Sequence, residues 1–242
     1  METKLPQITL VGAGPGDPEL LSMAGLEALE SADAVLYDAL VNPLILEYAA
    51  EKCELIYVGK RLGDHAYKQE EINQMLVDCA LKYGHVVRLK GGDPYVFGRG
   101  NEELQYAQAR NIATAVIPGM SSSLALADLI GIPLIHEGVS ADFWVITGST
   151  KNGNLSEDLL TAVKLDVTVV ILMGMQHIST ITALYRHEQK QLLPVAIVQN
   201  GSLPDQRVAI GTIDDIEPKI INQGIGAPAI IIIGQVVGFP TM

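Results

Sequence analysis

Three polar motifs and one glycine turn in the first half of this 242-residue chain each stand directly after a short apolar run. Asp38 follows Ala34 to Tyr37, and Lys60 follows Leu55 to Val58 in Gly59-Lys60-Arg61. Gly91-Gly92-Asp93-Pro94 follows Val86 to Leu89, and Ile8 to Val11 runs into Gly12-Ala13-Gly14-Pro15-Gly16-Asp17-Pro18. A carboxylate and an ammonium can take and give protons. Paired glycines let a ligand reach bare backbone. In open α/β sheets, ligands bind outside the carboxyl ends of the strands. The four motifs are therefore expected at one end of one sheet, sharing a site. Taken singly, Asp38 also reads as a helix cap, Lys60 as a surface lysine and Gly91-Gly92 as a turn.

The opening glycine turn excludes two familiar sites. No Gly-Lys-Ser/Thr follows it, so it is not a phosphate-cradling P-loop. Gly16 falls one residue early for a dinucleotide fingerprint, and Asp17 stands where the third glycine belongs. Asp17 is a good helix N-cap and Pro18 a good first helical residue. Leu20, Leu21, Ala24 and Leu29 are expected to supply the apolar face of that helix.

Positioning such motifs takes alternating strands and helices. Strands are expected at Ile8 to Val11, Ala34 to Tyr37, Leu55 to Val58, Val86 to Leu89 and Thr114 to Ile117. A helix is expected from Glu71 to Tyr83, where apolar residues recur at helical spacing. After Pro118-Gly119 the pattern restarts, with strands at Phe143 to Thr147, Thr168 to Leu172, Val195 to Val198 and Ala229 to Gly234. The unbroken Ile230 to Ile233 run predicts a strand covered on both faces. The expected fold class is α/β, with domains at 1–118 and 119–242. The helix-free Ile132 to Asp142 connection is expected at the cleft between them.

Apolar residues make up 48% of the chain and charged residues 18%, a globular balance. The net charge, 16 − 28 = −12, argues against nucleic-acid binding. Seven of the 16 cations (Lys60, Arg61, Lys68, Lys82, Arg88, Lys90 and Arg99) fall in one stretch, which suits a local anionic ligand or a solvated face. The longest apolar candidate, Ala229 to Gly238, is too short for a bilayer. The N-terminus does not read as a signal peptide. Cys53 and Cys79 have neither metal nor redox spacing. No metal and a cytoplasmic location are expected.

Val87 to Glu103, VRLKGGDPYVFGRGNEE, closely resembles the signature of uroporphyrinogen-III C-methyltransferases. So do Val11 to Asp17, Gly59-Lys60-Arg61 and Gln69 to Asn73. Further matches, in family order, are Ile117-Pro118-Gly119, Gly131 to Leu134, Thr147-Gly148, Leu172-Met173-Gly174, Asn200-Gly201 and Pro228-Ala229. The resemblance implies two α/β/α domains, the tetrapyrrole methylase fold, with S-adenosylmethionine in the cleft between them, and a homodimer. It implies cofactor contacts at Pro15, Gly91, Gly92, Asp93, Val96, Ser121, Ser122, Met173, Gly201 and Ala229. Ser121 and Ser122 replace the common threonine and alanine. The implied catalytic pair is Asp38 as proton acceptor and Lys60 as proton donor.

The activity so implied converts uroporphyrinogen III to precorrin-2 by methylation at C-2 and C-7, with S-adenosylhomocysteine as by-product. The substrate bears eight carboxylates. Arg61, Arg88, Lys90 and Arg99 are the leading candidates to meet them, with Lys60, His65 and Arg207 behind. Arg88 and Lys90 share one side of a strand. Two departures bear on substrate choice. Ile135-His136-Glu137 stands where the family commonly has Thr-His-Arg, and Asn101 stands where it has glycine. Rival readings are a sister methylase of a later precorrin, a nicotinamide-dependent oxidoreductase and a non-catalytic binding module. Without an added dehydrogenase or ferrochelatase domain, a single-function form is expected.

Overall fold

The apolar runs of the first half become five parallel strands. They are β1 (Gln7–Gly12), β2 (Ala34–Tyr37), β3 (Glu54–Tyr57), β4 (His85–Lys90) and β5 (Ala113–Ile117), in the order β3-β2-β4-β1-β5. The computed structural model describes residues 5–59 and 67–239. Its contacts divide the chain into two units, one running to Ser121 and one beginning at Ser122. The first unit holds helices α1 (Met23–Glu30), α2 (Pro43–Leu46), α3 (Gln69–Tyr83) and α4 (Gly100–Gln108).

Side chains alternate across this sheet, so each face needs its own cover. Ile8, Leu10, Leu36 and Val86 pack with Leu76 and Ala80 of α3 and Leu104 and Ala107 of α4. Val11, Val35, Val87 and Leu89 pack on the other side with Ala28 and Leu29 of α1 and Ile45 of α2. Leu76 is fully buried, and truncating such a leucine costs about 2–5 kcal/mol.

The expected helix start at Pro18 is corrected by one turn. Pro18–Leu20 is a short 3-10 turn, capped where Asp17 Oδ1 accepts from Glu19 N at 2.9 Å. Leu21 is extended (φ −70°, ψ 135°), which breaks the helical path. Ser22 Oγ then caps α1, accepting from Gly25 N at 3.1 Å. The register therefore moves: Gly25, Ala28 and Leu29 are buried, whereas Ala24 is exposed.

The second unit holds α5 (Ser122–Leu129), β6 (Phe143–Thr147), α6 (Asp158–Ala162), β7 (Thr168–Leu172), α7 (Ile178–His187), β8 (Pro194–Gln199), β9 (Arg207–Thr212), α8 (Ile216–Gln223) and β10 (Ala229–Ile233). Its sheet runs β6-β7-β10-β8-β9. Only β6 and β7 pair in parallel; β10 is antiparallel to β7 and β8, and β9 to β8. Leu159, Ile181 and Ile220 of α6, α7 and α8 cover one face, and Leu126 and Ala127 of α5 the other. Ile230 to Ile233 are at most 3% exposed, as a centrally placed strand requires. β9 was not expected. It is a half-exposed outer strand whose apolar run is short and ends on Gly211 and Thr212.

Candidate functional site

The loops after β1, β2, β3, β4 and β5 meet at the carboxyl rim of the first sheet through bare backbone. Gly14 N donates to Gly92 O at 3.2 Å, and Gly92 N returns a bond to Gly14 O at 2.7 Å. A Cβ on Gly12 would fall 2.7 Å from Gly92 O and against the backbone of Gly119. Only glycine fits there. A Cβ on Gly91 would lie 2.9 Å from Leu40 Cβ, and one on Gly59 would strike Ala39 N. Asp93 braces the assembly: Oδ1 accepts from Tyr95 N at 2.8 Å and Oδ2 from Gly119 N at 3.1 Å. Asn42 Nδ2 ties its loop to Gly16 O at 2.8 Å. Pro15 is half-buried in this loop set, and Val96 is exposed just beyond Asp93.

Asp38 stands at this rim above a buried charge network. Arg88 Nη2 donates to Asp38 Oδ1 at 2.6 Å, and Arg88 Nε to Glu103 Oε1 at 3.3 Å. Lys90 Nζ donates to the same Glu103 oxygen at 3.1 Å and lies 3.7 Å from Asp38 Oδ2. Gln69 Nε2 adds a third donor to Glu103 Oε1 at 3.0 Å. Glu103 Oε2 is buried with no hydrogen-bond partner among the described residues. Burial, then the neighbouring Arg88 cation, lowers the Lys90 ammonium from its ordinary value, against the pull of Glu103 and Asp38. Arg88 and Lys90 alternate on the β4 face that α3 and α4 cover, so their heads meet Glu103 of α4. Asp38 alone reaches the surface: its side chain is 29% exposed, against 2% for Arg88 and 0% for Glu103. The charges of Arg88 and Lys90, expected to meet substrate carboxylates, are already met inside the unit.

Sequence reasoning gave Glu103 no role. A glutamate 13 residues after Lys90 carries no signal until α4 is known to lie over that face of β4. Arg99 opens α4 with left-handed backbone (φ 59°) and pairs with Glu102, its Nε at 3.0 Å from Oε1. Lys60, Arg61 and His65 lie outside the described residues.

The second unit builds a comparable rim by other means. Because β10 runs antiparallel, its first residue, Ala229, lies beside the carboxyl ends of β7 and β8, paired with Gln199. Met173 follows β7 with φ 54° and is 53% exposed; Ser149 Oγ donates to its carbonyl at 2.9 Å. Gly201 follows β8, and a Cβ there would fall 2.8 Å from Leu126 Cγ of α5. Asn200 N donates to Pro228 O at 3.2 Å. Gln199 Oε1 is a buried acceptor with no partner among the described residues. Ser122 opens α5 half-buried, and Ser121, which ends the first unit, is buried. Arg207 lies elsewhere, opening β9 and donating to Gln223 O, at the end of α8, at 3.2 Å. Glu137 is exposed in a turn closed by the His136–Ser140 bridge, with no ion pair among the described residues. Among the described residues no group of three or more His, Cys, Asp or Glu is placed to hold a metal ion, and no helix is long and apolar enough to cross a membrane.

Parallel strands ending in glycine loops around a part-exposed carboxylate define an α/β ligand-binding protein. The description "Tetrapyrrole (Corrin/Porphyrin) Methylases" matches residues 7–217. A uroporphyrinogen-III C-methyltransferase of Methanocaldococcus jannaschii is 44% identical over 234 residues, 96% of each chain. A siroheme synthase of Pseudomonas fluorescens is 42% identical over 96% of this chain, which spans 50% of that longer protein. Among solved structures, a uroporphyrin-III C-methyltransferase from Thermus thermophilus complexed with S-adenyl homocysteine superposes with a TM-score of 0.83 at 37% identity, covering 96% of this chain and 99% of that one. A cobalt precorrin-4 methyltransferase, at 24% identity and a TM-score of 0.86, shares the fold. The chain belongs to the tetrapyrrole methylase family.

Proposed function

We propose that this protein is an S-adenosylmethionine-dependent C-methyltransferase that converts uroporphyrinogen III to precorrin-2, methylating C-2 and C-7. The observation that carries the reading is Asp38, a part-exposed carboxylate held at a glycine-built strand rim. The 44% identity to a uroporphyrinogen-III C-methyltransferase over nearly the whole chain supports the substrate. A cytoplasmic homodimer is the form we assign to it.

S-adenosylmethionine, when bound, supplies a methyl group on a sulfonium cation to a ring carbon. Each unit by itself carries residues that suit such a group. Gly91 and Gly92, half-buried and without side chains, let a ligand approach the backbone, with Pro15 in the facing loop and Val96 four residues after Gly92. Ser121, Ser122, Gly201 and Ala229 keep side chains small, Met173 presents its exposed side chain, and Gln199 Oε1 is an acceptor awaiting a donor. Asp93 serves through the loops it braces. Holding two reactants in line is worth up to about 7–11 kcal/mol.

After transfer a proton must leave the macrocycle at a position other than the methylated carbon, which is fully substituted. Asp38 Oδ2 takes it, since Oδ1 is held by Arg88 whereas Oδ2, 3.7 Å from Lys90 Nζ, accepts no hydrogen bond among the described residues. Lys60, placed by the resemblance, donates a proton or fixes the macrocycle. Arg61 and Arg99 remain as partners for substrate carboxylates, whereas Arg88 and Lys90 are assigned to Asp38 and Glu103.

The test is incubation with uroporphyrinogen III and methyl-labelled S-adenosylmethionine, counting labelled methyl groups per product by mass spectrometry. Two are expected. None on this substrate, with transfer to a later precorrin, would move the activity to a sister methylase. A melting temperature that NADH raises and S-adenosylhomocysteine does not would reject methyl transfer altogether. At about 100 times its dissociation constant, S-adenosylhomocysteine should stabilise by about 2.7 kcal/mol.

A further inference from the structure

We infer that Arg88 is a positioning residue for proton removal: it grips one oxygen of Asp38 from inside the fold and leaves the other to accept the proton. The inference rests on the reading of Asp38 as the base. Arg88 is the register partner of Leu36 on β2, two residues before Asp38. Its Nη1 lies 3.4 Å from Leu36 O and 3.3 Å from Leu89 O, while Nη2 reaches Asp38 Oδ1 at 2.6 Å. The guanidinium thus fixes the carboxylate relative to the strand that carries it. Nε binds Glu103 Oε1 at 3.3 Å, so the arginine is itself anchored from α4. Glu103 is held in turn by Lys90 and Gln69.

Stability alone does not account for the arrangement. Buried ion pairs are commonly replaceable by apolar residues at no loss, because desolvation offsets the attraction. Here two cations and a carboxylate are buried beneath one carboxylate that stays part-exposed. A planar guanidinium offers several fixed donors at once, which a lysine cannot reproduce. What the network secures is the orientation of its exposed member.

A double-mutant cycle on the full-length protein tests this, with Arg88→Met, Asp38→Asn and the pair. Coupled residues give non-additive effects. Arg88→Met should lower kcat by about 10–100-fold, as for a partly misplaced base, while KM for uroporphyrinogen III stays within about threefold. Arg88→Lys, which keeps the charge but not the fork of donors, should recover only part of the lost kcat, about threefold. In the Asp38→Asn background, Arg88→Met should cost less than about twofold further. Multiplying losses in the pair, or a loss confined to KM, would overturn the inference; the second result would make Arg88 a substrate contact. If Arg88→Met no longer binds S-adenosylhomocysteine in calorimetry, Arg88→Lys carries the same cycle and the same two outcomes decide. An inactive wild-type protein would instead refute the methyltransferase reading, and is recognised before any variant is made.

Discussion

The two sheets present their rims by different means. In the unit ending at Ser121 all five strands are parallel, so every carboxyl end faces one way and side-chain chemistry gathers there. In the unit beginning at Ser122 the rim is composite: the carboxyl ends of β6, β7 and β8 stand beside the amino end of β10. Among the described residues, the buried charged side chains Arg88, Lys90 and Glu103 all lie in the first unit. The buried polar residues of the second are serines and threonines, such as Ser140, Thr168 and Thr182. Burying charge costs free energy unless it is paired. The first unit bears that cost beside Asp38, the residue proposed to accept the proton. The second keeps an uncharged interior and offers backbone and small side chains.

That contrast is most exposed to Asp38→Asn. The substitution should lower kcat by about 10²–10⁴-fold, the usual worth of one placed base. Binding of S-adenosylhomocysteine, followed by calorimetry, should change by less than about twofold, because the loss is confined to the transition state. Collapse of that binding would make Asp38 part of the scaffold and erase the division of labour.

A pair of glycine substitutions compares the rims directly. In Gly119→Ala the new methyl meets backbone, Gly92 O and Gly12, which cannot turn aside. In Gly201→Ala it meets the side chain of Leu126, which can rotate. Gly119→Ala should cost about 1–3 kcal/mol, or roughly 2–10 °C of melting temperature for a chain of this size. Gly201→Ala should cost less than half as much. Equal losses in thermal melts would show that the second rim is as rigid as the first.

The smallest effect concerns a carboxylate of the second unit. Hydrogen bonds from Ser179 and Thr182, and then Arg186, hold the Glu217 carboxyl below its ordinary range. Its contribution is therefore fully present above the unfolded value, near 4.3 or about that, and is lost as pH falls through the lower folded value. Glu217→Gln should cost about 0.2–1 kcal/mol at neutral pH, as exposed pairs do. The gap between variant and wild type should close as the medium is acidified. A gap of equal size in acid would show that charge is not its source, and a fall in kcat would tie the second unit to proton chemistry.

Much of this was legible where sequence patterns are strong. Ala34–Tyr37, Phe143–Thr147 and Thr168–Leu172 form strands with the expected bounds, each an apolar or β-branched run with a polar residue or glycine within two residues of its end. The rim loops could be placed because glycine and Asp38 follow such runs directly. Three features were not legible. Leu21 breaks the first helix through a local backbone choice that apolar spacing does not encode. β9 lacks a continuous apolar run because one of its faces is wet. The alternation of Arg88 and Lys90 put both on one face of β4, but which face depends on the packing of α3 and α4, a tertiary fact. With that face buried, the charges of Arg88 and Lys90 are met by Asp38 and Glu103.

The position of β1 has a consequence for how the chain is made. It precedes the other four strands of its sheet in the chain, yet it lies between β4 and β5 and pairs from Gln7 to His85 and Ala113. At roughly 5–20 residues per second, its apolar Ile8 to Val11 run waits about 4–15 s for the first of these partners and longer for the second. Sheets closed by such distant pairings form slowly and stay prone to wrong association meanwhile. The strand on which the glycine rim depends is thus, of the five in its sheet, the one that waits longest for its partners.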